Sequence, residues 1–202
     1  PHSRTPLYVD AAAASKPILA RLEERLQAAL NSGSKLAQNL ISEMYRTTCN
    51  AKIAAAVQLV AGHPWLSSEP VVIFAHHAAM LDAAEAALTR ALQDGTVGRI
   101  DGKTSLSRRQ QVVDGIQSGT LRVALLSMGA AGVGLTLTRA CTAYFLEIPW
   151  SPAVLRQCED RIHRIGQTRL TQIYYVIAND TLDTYVWRAI HRKEKIGTRI
   201  GQ

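Results

Sequence analysis

Two arginines, Arg161 and Arg164, stand three residues apart in the run Gln157-Cys158-Glu159-Asp160-Arg161-Ile162-His163-Arg164-Ile165-Gly166-Gln167, with polar side chains on both sides. Three residues is close to one helical turn, so the spacing predicts that Gln157, Asp160, Arg161 and Arg164 share a stripe of one helix, with Asp160 bracing a guanidinium. Guanidinium groups held in this way suit a phosphate, and the pair reads as two arginine fingers. A finger of this kind is worth roughly three to five orders of magnitude in nucleotide hydrolysis, so the pair would govern a reaction whose other half lies elsewhere. The same spacing also serves an amphipathic surface helix with a solvated salt bridge.

Such residues need a scaffold. From Val71 onward, short β-branched runs alternate with helical stretches, which predicts a parallel sheet with strands over 71–75, 97–101, 122–127, 143–147 and 172–178. Helices are expected over 77–92, 106–117 and 152–164, and a last one over 182–196. Residues 16–62, rich in Ala, Leu, Gln and Glu, predict two or three further helices broken near Asn31-Ser32-Gly33-Ser34, with His63-Pro64 closing the block.

In a parallel sheet, the carboxyl ends of the strands collect the loops that meet ligands, and three motifs are expected there. Phe74-Ala75-His76-His77 closes one strand and opens a helix, where backbone N–H groups and imidazoles can meet phosphate or simply cap the helix. Arg99-Ile100-Asp101-Gly102-Lys103-Thr104-Ser105 ends a strand in a turn whose Thr104 or Ser105 can cap the next helix. Ser127-Met128-Gly129-Ala130-Ala131-Gly132-Val133-Gly134-Leu135 is a run of small residues able to lie close against a ligand or a neighbouring domain.

Composition narrows the field. A chain of 202 residues, 47% hydrophobic, can bury a full core, and its net charge of +7 suits a phosphate-rich partner or a generally basic surface. Cys49, Cys141 and Cys158 are widely spaced without a C-x-x-C pair, which supports neither a disulfide framework nor a zinc site and favours a reducing compartment. No metal site is expected. No apolar run reaches the ~18 residues of a membrane span, and a start at Pro1 without methionine suits a piece of a longer protein. The sequence has no G-x-x-x-x-G-K-[ST] loop, no H-E-x-x-H and no G-x-S-x-G, so an independent P-loop enzyme, a zinc protease and an α/β hydrolase are not expected.

Taken in order, these motifs resemble those of the second RecA-like lobe of superfamily-two helicases, most nearly the Swi/Snf type. Its hallmark is Asp160-Arg161-x-His163-Arg164-x-Gly166-Gln167 preceded by Pro149-Trp150-Ser151-Pro152. Phe74-Ala75-His76-His77-x-x-x-Leu81-Asp82, Ala130-Ala131 with Gly134-Leu135-Thr136, and Thr181-x-Asp183-x-Tyr185-x-Trp187 look most like annealing helicases that remodel stalled replication forks; chromatin remodellers are the competing subgroup. The resemblance implies an α/β fold: a RecA-like parallel sheet flanked by helices, with an N-terminal helical region or insertion over 1–64, the lobe over 65–180 and a basic C-terminal brace helix over 181–202.

It also implies roles. Arg161 and Arg164 look like fingers reaching ATP, whose phosphates and Mg2+ are held mainly by an absent first lobe, with Gln157 beside them. Gly132, Gly134 and Asp160 would bind or couple to the nucleotide. Ser127, Arg99, Gly102, Lys103, Thr104 and His76 would line the DNA-facing surface, with Asp101 and Arg109 shaping it. Met128 and Gly129 stand where related remodellers often have Thr and Lys, which favours backbone rather than side-chain contacts from that loop. Trp150 would stack on a base or pack beneath the fingers, and Arg188, His191, Arg192, Lys193, Lys195 and Arg199 against Glu194 resemble a brace helix that can also line a duplex. The implied partners are double-stranded or forked DNA and the first lobe of the same polypeptide, with a nucleosome as a further candidate and no membrane; the implied location is the nucleus. A non-catalytic docking module and a double-stranded RNA translocase are the rival readings.

Overall fold

Val71-Val72-Ile73-Phe74-Ala75 is apolar at every position, the pattern of a strand covered on both faces, and all five residues are buried. The computed structural model of the protein describes residues 2–62, 69–92, 95–130 and 134–200, the last seven by backbone alone. Its strands are β1 (His2–Val9), β2 (Val71–Ala75), β3 (Val97–Ile100), β4 (Val123–Ser127), β5 (Thr142–Phe145) and β6 (Thr171–Ala178). Its helices are α1 (Lys16–Asn31), α2 (Leu36–Ala61), α3 (Ala78–Leu92), α4 (Leu106–Ser118), α5 (Pro152–Glu159) and α6 (Leu182–Ile200). The strands form one sheet in the order β1-β6-β5-β2-β4-β3, and every neighbouring pair is parallel.

Alternate strand residues divide between two cores. Phe74, Leu126, Phe145, Ile173 and Tyr175 pack with residues of α1, the start of α2, α4, α5 and α6. Ile73, Leu125, Tyr144 and Val176 pack with the end of α2 and with α3. Helix α2 serves both by burying Leu40, Met44, Thr48, Lys52, Ala56 and Val60, one residue in every four. An aromatic ladder crosses the first core, Phe74 on Phe145 at 4.8 Å and Phe145 on Tyr175 at 4.9 Å, with each pair in register on adjacent strands.

Most expected elements are present, with two differences. Residues 2–9, expected within a helical region, form the edge strand β1, paired with β6 from His2↔Thr171 to Val9↔Ala178. His2-Ser3-Arg4-Thr5-Pro6 lacks apolar alternation and contains a proline, which an edge position tolerates because one side of the strand has no ladder to satisfy. Helix α5 ends at Glu159, well short of residue 164. The break expected near Asn31 occurs there, with Gly33 at φ +64° and the Ser34 hydroxyl accepting from the Leu36 N–H at 3.2 Å. Ser105 caps α4 by accepting from the Arg108 N–H, and Gly119 closes that helix in the left-handed conformation.

One ionic contact ties the layers together. The Lys52 ammonium on α2 is fully buried and donates to Asp183 Oδ2 at 2.6 Å and to the Val176 carbonyl at 2.8 Å. Asp183 Oδ2 also accepts from the Ala178 N–H at 3.0 Å. The start of α6 is thereby pinned to β6 and to α2.

Candidate functional site

Arg161 and Arg164 do not lie on a helical face. Beyond Glu159 the carbonyls that would carry the helix forward are taken from outside it: the Arg161 carbonyl accepts from the Leu137 N–H at 2.9 Å, and the Ile162 carbonyl from Gln167 Nε2 at 3.2 Å. The chain tightens instead, with the Glu159 carbonyl accepting from both Ile162 N–H at 3.1 Å and His163 N–H at 2.9 Å. Gly166 then leaves the turn at φ +103°, a conformation that side chains disfavour. The continuous stripe of Gln157, Asp160, Arg161 and Arg164 is therefore replaced by a helix end followed by a tight turn.

Within that turn each guanidinium has a neutral acceptor. Arg161 Nε donates to the backbone carbonyl of Gln157 at 3.1 Å, and Arg164 Nη1 donates to Thr136 Oγ1 at 3.1 Å. Asp160 caps the end of α5 and is exposed, and among the described residues its carboxylate pairs with neither arginine. Gln167 knots the turn to the preceding loop: its Nε2 donates to the carbonyls of Thr138 and Ala140 at 2.9 Å each, and its Oε1 accepts from the Arg169 N–H at 3.1 Å. The loop after β4 thus runs from Ser127, whose hydroxyl accepts from the Ala130 N–H at 3.2 Å, to Thr136 and Leu137 against the arginine turn. Gly134 in that loop has φ +24°, and a Cβ built there or at Gly129 would meet nothing within 4 Å, so the backbone is open to an approaching group. Gly132 lies outside the described residues.

A second cluster forms where β2 and β5 end. The buried Glu147 carboxylate accepts from the backbone N–H groups of His76 at 2.7 Å and His77 at 2.9 Å, and it meets His77 Nδ1 at 2.5 Å. Burial pushes this carboxyl up, but the His77 ring and the two N–H donors outweigh that and hold it below the usual range. Cys49 Sγ joins them within 4.8 Å, and burial with the Glu147 charge beside it pushes the thiol up. Both carboxylate oxygens already accept from nitrogen donors, so hydrogen bonds hold the cluster together. The Tyr45 hydroxyl on α2 donates to the Ile148 carbonyl at 2.9 Å, and its ring meets His76, His77 and Trp150 at 5.6, 5.1 and 5.7 Å. His76 and Trp150 form the exposed rim above it.

The Arg99–Ser105 turn is built by its own side chains. Arg99 donates to Asp82 at 2.6 Å, Glu85 at 2.9 Å and Asp101 at 3.1 Å, which commits its guanidinium to three carboxylates. Arg109 donates to the carbonyls of Asp101 and Thr104 at 2.9 Å each and braces the loop. Asp101 Oδ1 accepts from the Lys103 N–H and the Thr104 hydroxyl, whose oxygen accepts in turn from the Asp101 N–H. What the turn leaves outward is Gly102, with open space where a Cβ would stand, and the exposed Lys103.

Residues 51–166, which include Arg161 and Arg164, the Ser127 loop, His76, His77 and Glu147, and the Arg99 turn, match the family described as helicase conserved C-terminal domain. The chain belongs to that family. Among curated relatives, this helicase C-terminal domain is 38% identical over 188 residues to the DNA annealing helicase and endonuclease ZRANB3 of Mus musculus, covering 91% of this chain and 17% of that protein. It is 36% identical over 190 residues to the SWI/SNF-related matrix-associated actin-dependent regulator of chromatin subfamily A-like protein 1 of Xenopus tropicalis, covering 91% of this chain and 20% of the relative. The chain therefore spans about a fifth of the length of these relatives. Its fold is that of the C-terminal part of the Fun30 ATPase domain, whose crystal structure superposes with a TM-score of 0.75 at 18% identity, over 93% of this chain and 88% of the other. The resemblance to the second lobe of Swi/Snf-type superfamily-two proteins, near the annealing helicases, is borne out.

The predicted residues of this helicase C-terminal domain fall into two groups. Arg161, Arg164, Gln157 and Asp160 gather at the end of α5, while Ser127, His76, Arg99, Gly102, Lys103 and Thr104 lie at the ends of β4, β2 and β3. The loop carrying Gly134 and Thr136 joins the two. Sequence reasoning gave no role to Glu147, Tyr45 or Gln167, whose work is to hold the others. Arg4 and Tyr175 also passed unnoticed, because their partner Glu159 lies 155 positions from one and 16 from the other.

Proposed function

We propose that the chain is the C-terminal motor lobe of an ATP-dependent DNA translocase of the annealing-helicase kind, supplying Arg161 and Arg164 to ATP held by an N-terminal lobe. The observation that carries this is the knotted turn, which offers two guanidinium groups on neutral acceptors, neither spent on a carboxylate among the described residues. Guanidinium groups so placed fit a polyphosphate, while at the end of α5 the Glu159 carboxylate is already held by Arg4 and Tyr175 and, among the described residues, no group of three metal-ligating side chains gathers there, so we assign the Mg2+ ligands to the other lobe. Bound there, the nucleotide supplies a phosphoanhydride to be cleaved by water, and charge develops on its terminal oxygens. Arg161 and Arg164 compensate that charge, and Gln157 holds Arg161 through its backbone carbonyl.

The carboxyl edge is the proposed DNA face. The Ser127 loop with Gly134 meets a phosphate backbone through N–H groups, and Gly102, Lys103 and His76 add contacts. Arg99 and Thr104 keep the Gly102–Lys103 tip in shape. Because the loop ends on Arg164 and Arg161 through Thr136 and Leu137, movement at the DNA face reaches the fingers directly. A nuclear location accords with this role.

A full-length protein assayed for ATP turnover with linear duplex, single-stranded and forked DNA tests the reading. Stimulation by duplex or forked DNA is expected, and a preference for forks favours annealing over chromatin remodelling. Turnover indifferent to every DNA would support a non-catalytic docking module instead.

A further inference from the structure

The edge strand β1 reaches the arginine turn at one buried carboxylate. Arg4 lies mid-strand and donates to Glu159 through Nε at 2.8 Å and Nη2 at 2.6 Å, a two-pronged contact in which the Glu159 side chain is 6% exposed. The Tyr175 hydroxyl on β6 donates to Glu159 Oε1 as well, and the Tyr175 ring is fixed between Phe145 and Trp187. Glu159 is the last residue of α5, and its backbone carbonyl accepts from the Ile162 and His163 N–H groups, which lie between Arg161 and Arg164. One residue therefore anchors its carboxylate to the sheet and its carbonyl to the turn. A second contact backs it up, with the rings of His2 and His163 4.7 Å apart.

We infer that Arg4 is a positioning residue for the arginine fingers: through Glu159, with Tyr175, it sets where Arg161 and Arg164 stand when the nucleotide reacts. This rests on the finger reading above. A bidentate guanidinium–carboxylate contact fixes direction as well as distance, and a lysine in its place keeps the charge and loses the second prong. Displacement of a catalytic group by about an ångström is enough to cost on the order of a hundredfold in rate. Loss of Arg4 should therefore appear in the chemical step rather than in substrate capture.

The test uses the full-length protein, with Arg4→Ala, Arg4→Lys and Tyr175→Phe each placed in the parent and in an Arg161→Ala/Arg164→Ala background, and kcat and KM measured at saturating duplex DNA. The expected result is a kcat lowered about ten- to a hundredfold by Arg4→Ala and less by Arg4→Lys and Tyr175→Phe. KM for ATP should change less than about threefold, and no further loss should appear in the double-arginine background. Should Arg4→Ala fail to fold, the two milder variants carry the same comparison. A lowered melting temperature with unchanged kcat in all three variants, or an equal loss in both backgrounds, would make the contact purely structural and overturn the inference. If Arg161→Ala/Arg164→Ala itself leaves kcat unchanged, the finger reading fails first, and this inference falls with it.

Discussion

A guanidinium stabilises developing charge only when no counter-charge already occupies it, and Arg161 and Arg164 meet that condition while Arg99 does not. The difference lies in the neighbours rather than in the residue type. Gln167 makes the arrangement possible by supplying one amide to the carbonyls of Thr138, Ala140 and Ile162. Gln167→Leu leaves these acceptors without that donor, and the expected cost is about 1–3 kcal/mol of unfolding free energy, measured by urea titration. At the other cluster, pH is the lever. Partial burial, then the neighbouring His77, lowers the His76 pKa, so the unfolded chain binds that proton more readily and stability declines as pH falls through about 6.5. Glu147, also below its ordinary value, contributes stability that is present above about 4.3 and is lost as pH falls further through its folded value. Both act in one direction. The urea midpoint should therefore drop from pH 8 to pH 3, gently below about 6.5 because His76 is exposed and more steeply below about 4.3, and Glu147→Gln should flatten the lower part of that curve.

Among the elements, the expected sheet was legible because β2, β4 and β5 are apolar on both faces and the helices between them keep a regular period. What stayed hidden depended on contacts distant in sequence. The β1 segment carries no hydrophobic alternation, and only its register against β6 makes it a strand. Helix α5 looks continuous through Arg164 in sequence, since nothing local reveals that Leu137 and Gln167 will take its carbonyls. The candidate arginines were readable by type and spacing, but the geometry that presents them was not. Lys52 is a further case: a lysine amid Ala and Val on α2 reads as a solvated position, yet it is buried against Asp183. Removing one partner of a buried pair strands the other, at about 3–5 kcal/mol. Lys52→Met is expected to lose that much in urea unfolding, and because Asp183 opens α6, amide exchange in the first turn of that helix should accelerate more than in β2.

For the whole molecule, the fold sets two candidate surfaces apart, and one loop touches the arginine turn. The ends of β2, β3 and β4 present His76, Lys103 and Ser127, whereas the end of α5 presents the arginines, and the 134–137 stretch runs between. The loop meets the arginine turn through two hydrogen bonds, Arg164 to Thr136 Oγ1 and the Leu137 N–H to the Arg161 carbonyl. The basic face of α6, with Arg188, Arg192 and Lys193 exposed, borders an open groove with Tyr8 and Trp187; Glu194, Lys195 and Arg199 lie outside the described side chains. The central claim is that the turn after α5 acts on a nucleotide bound by another lobe. Its most direct measurement is kcat for ATP at saturating duplex DNA, comparing the full-length protein with its Arg161→Ala/Arg164→Ala variant at matched folding. The account predicts a loss of about three orders of magnitude or more with DNA affinity retained; equal turnover in the two proteins would contradict it.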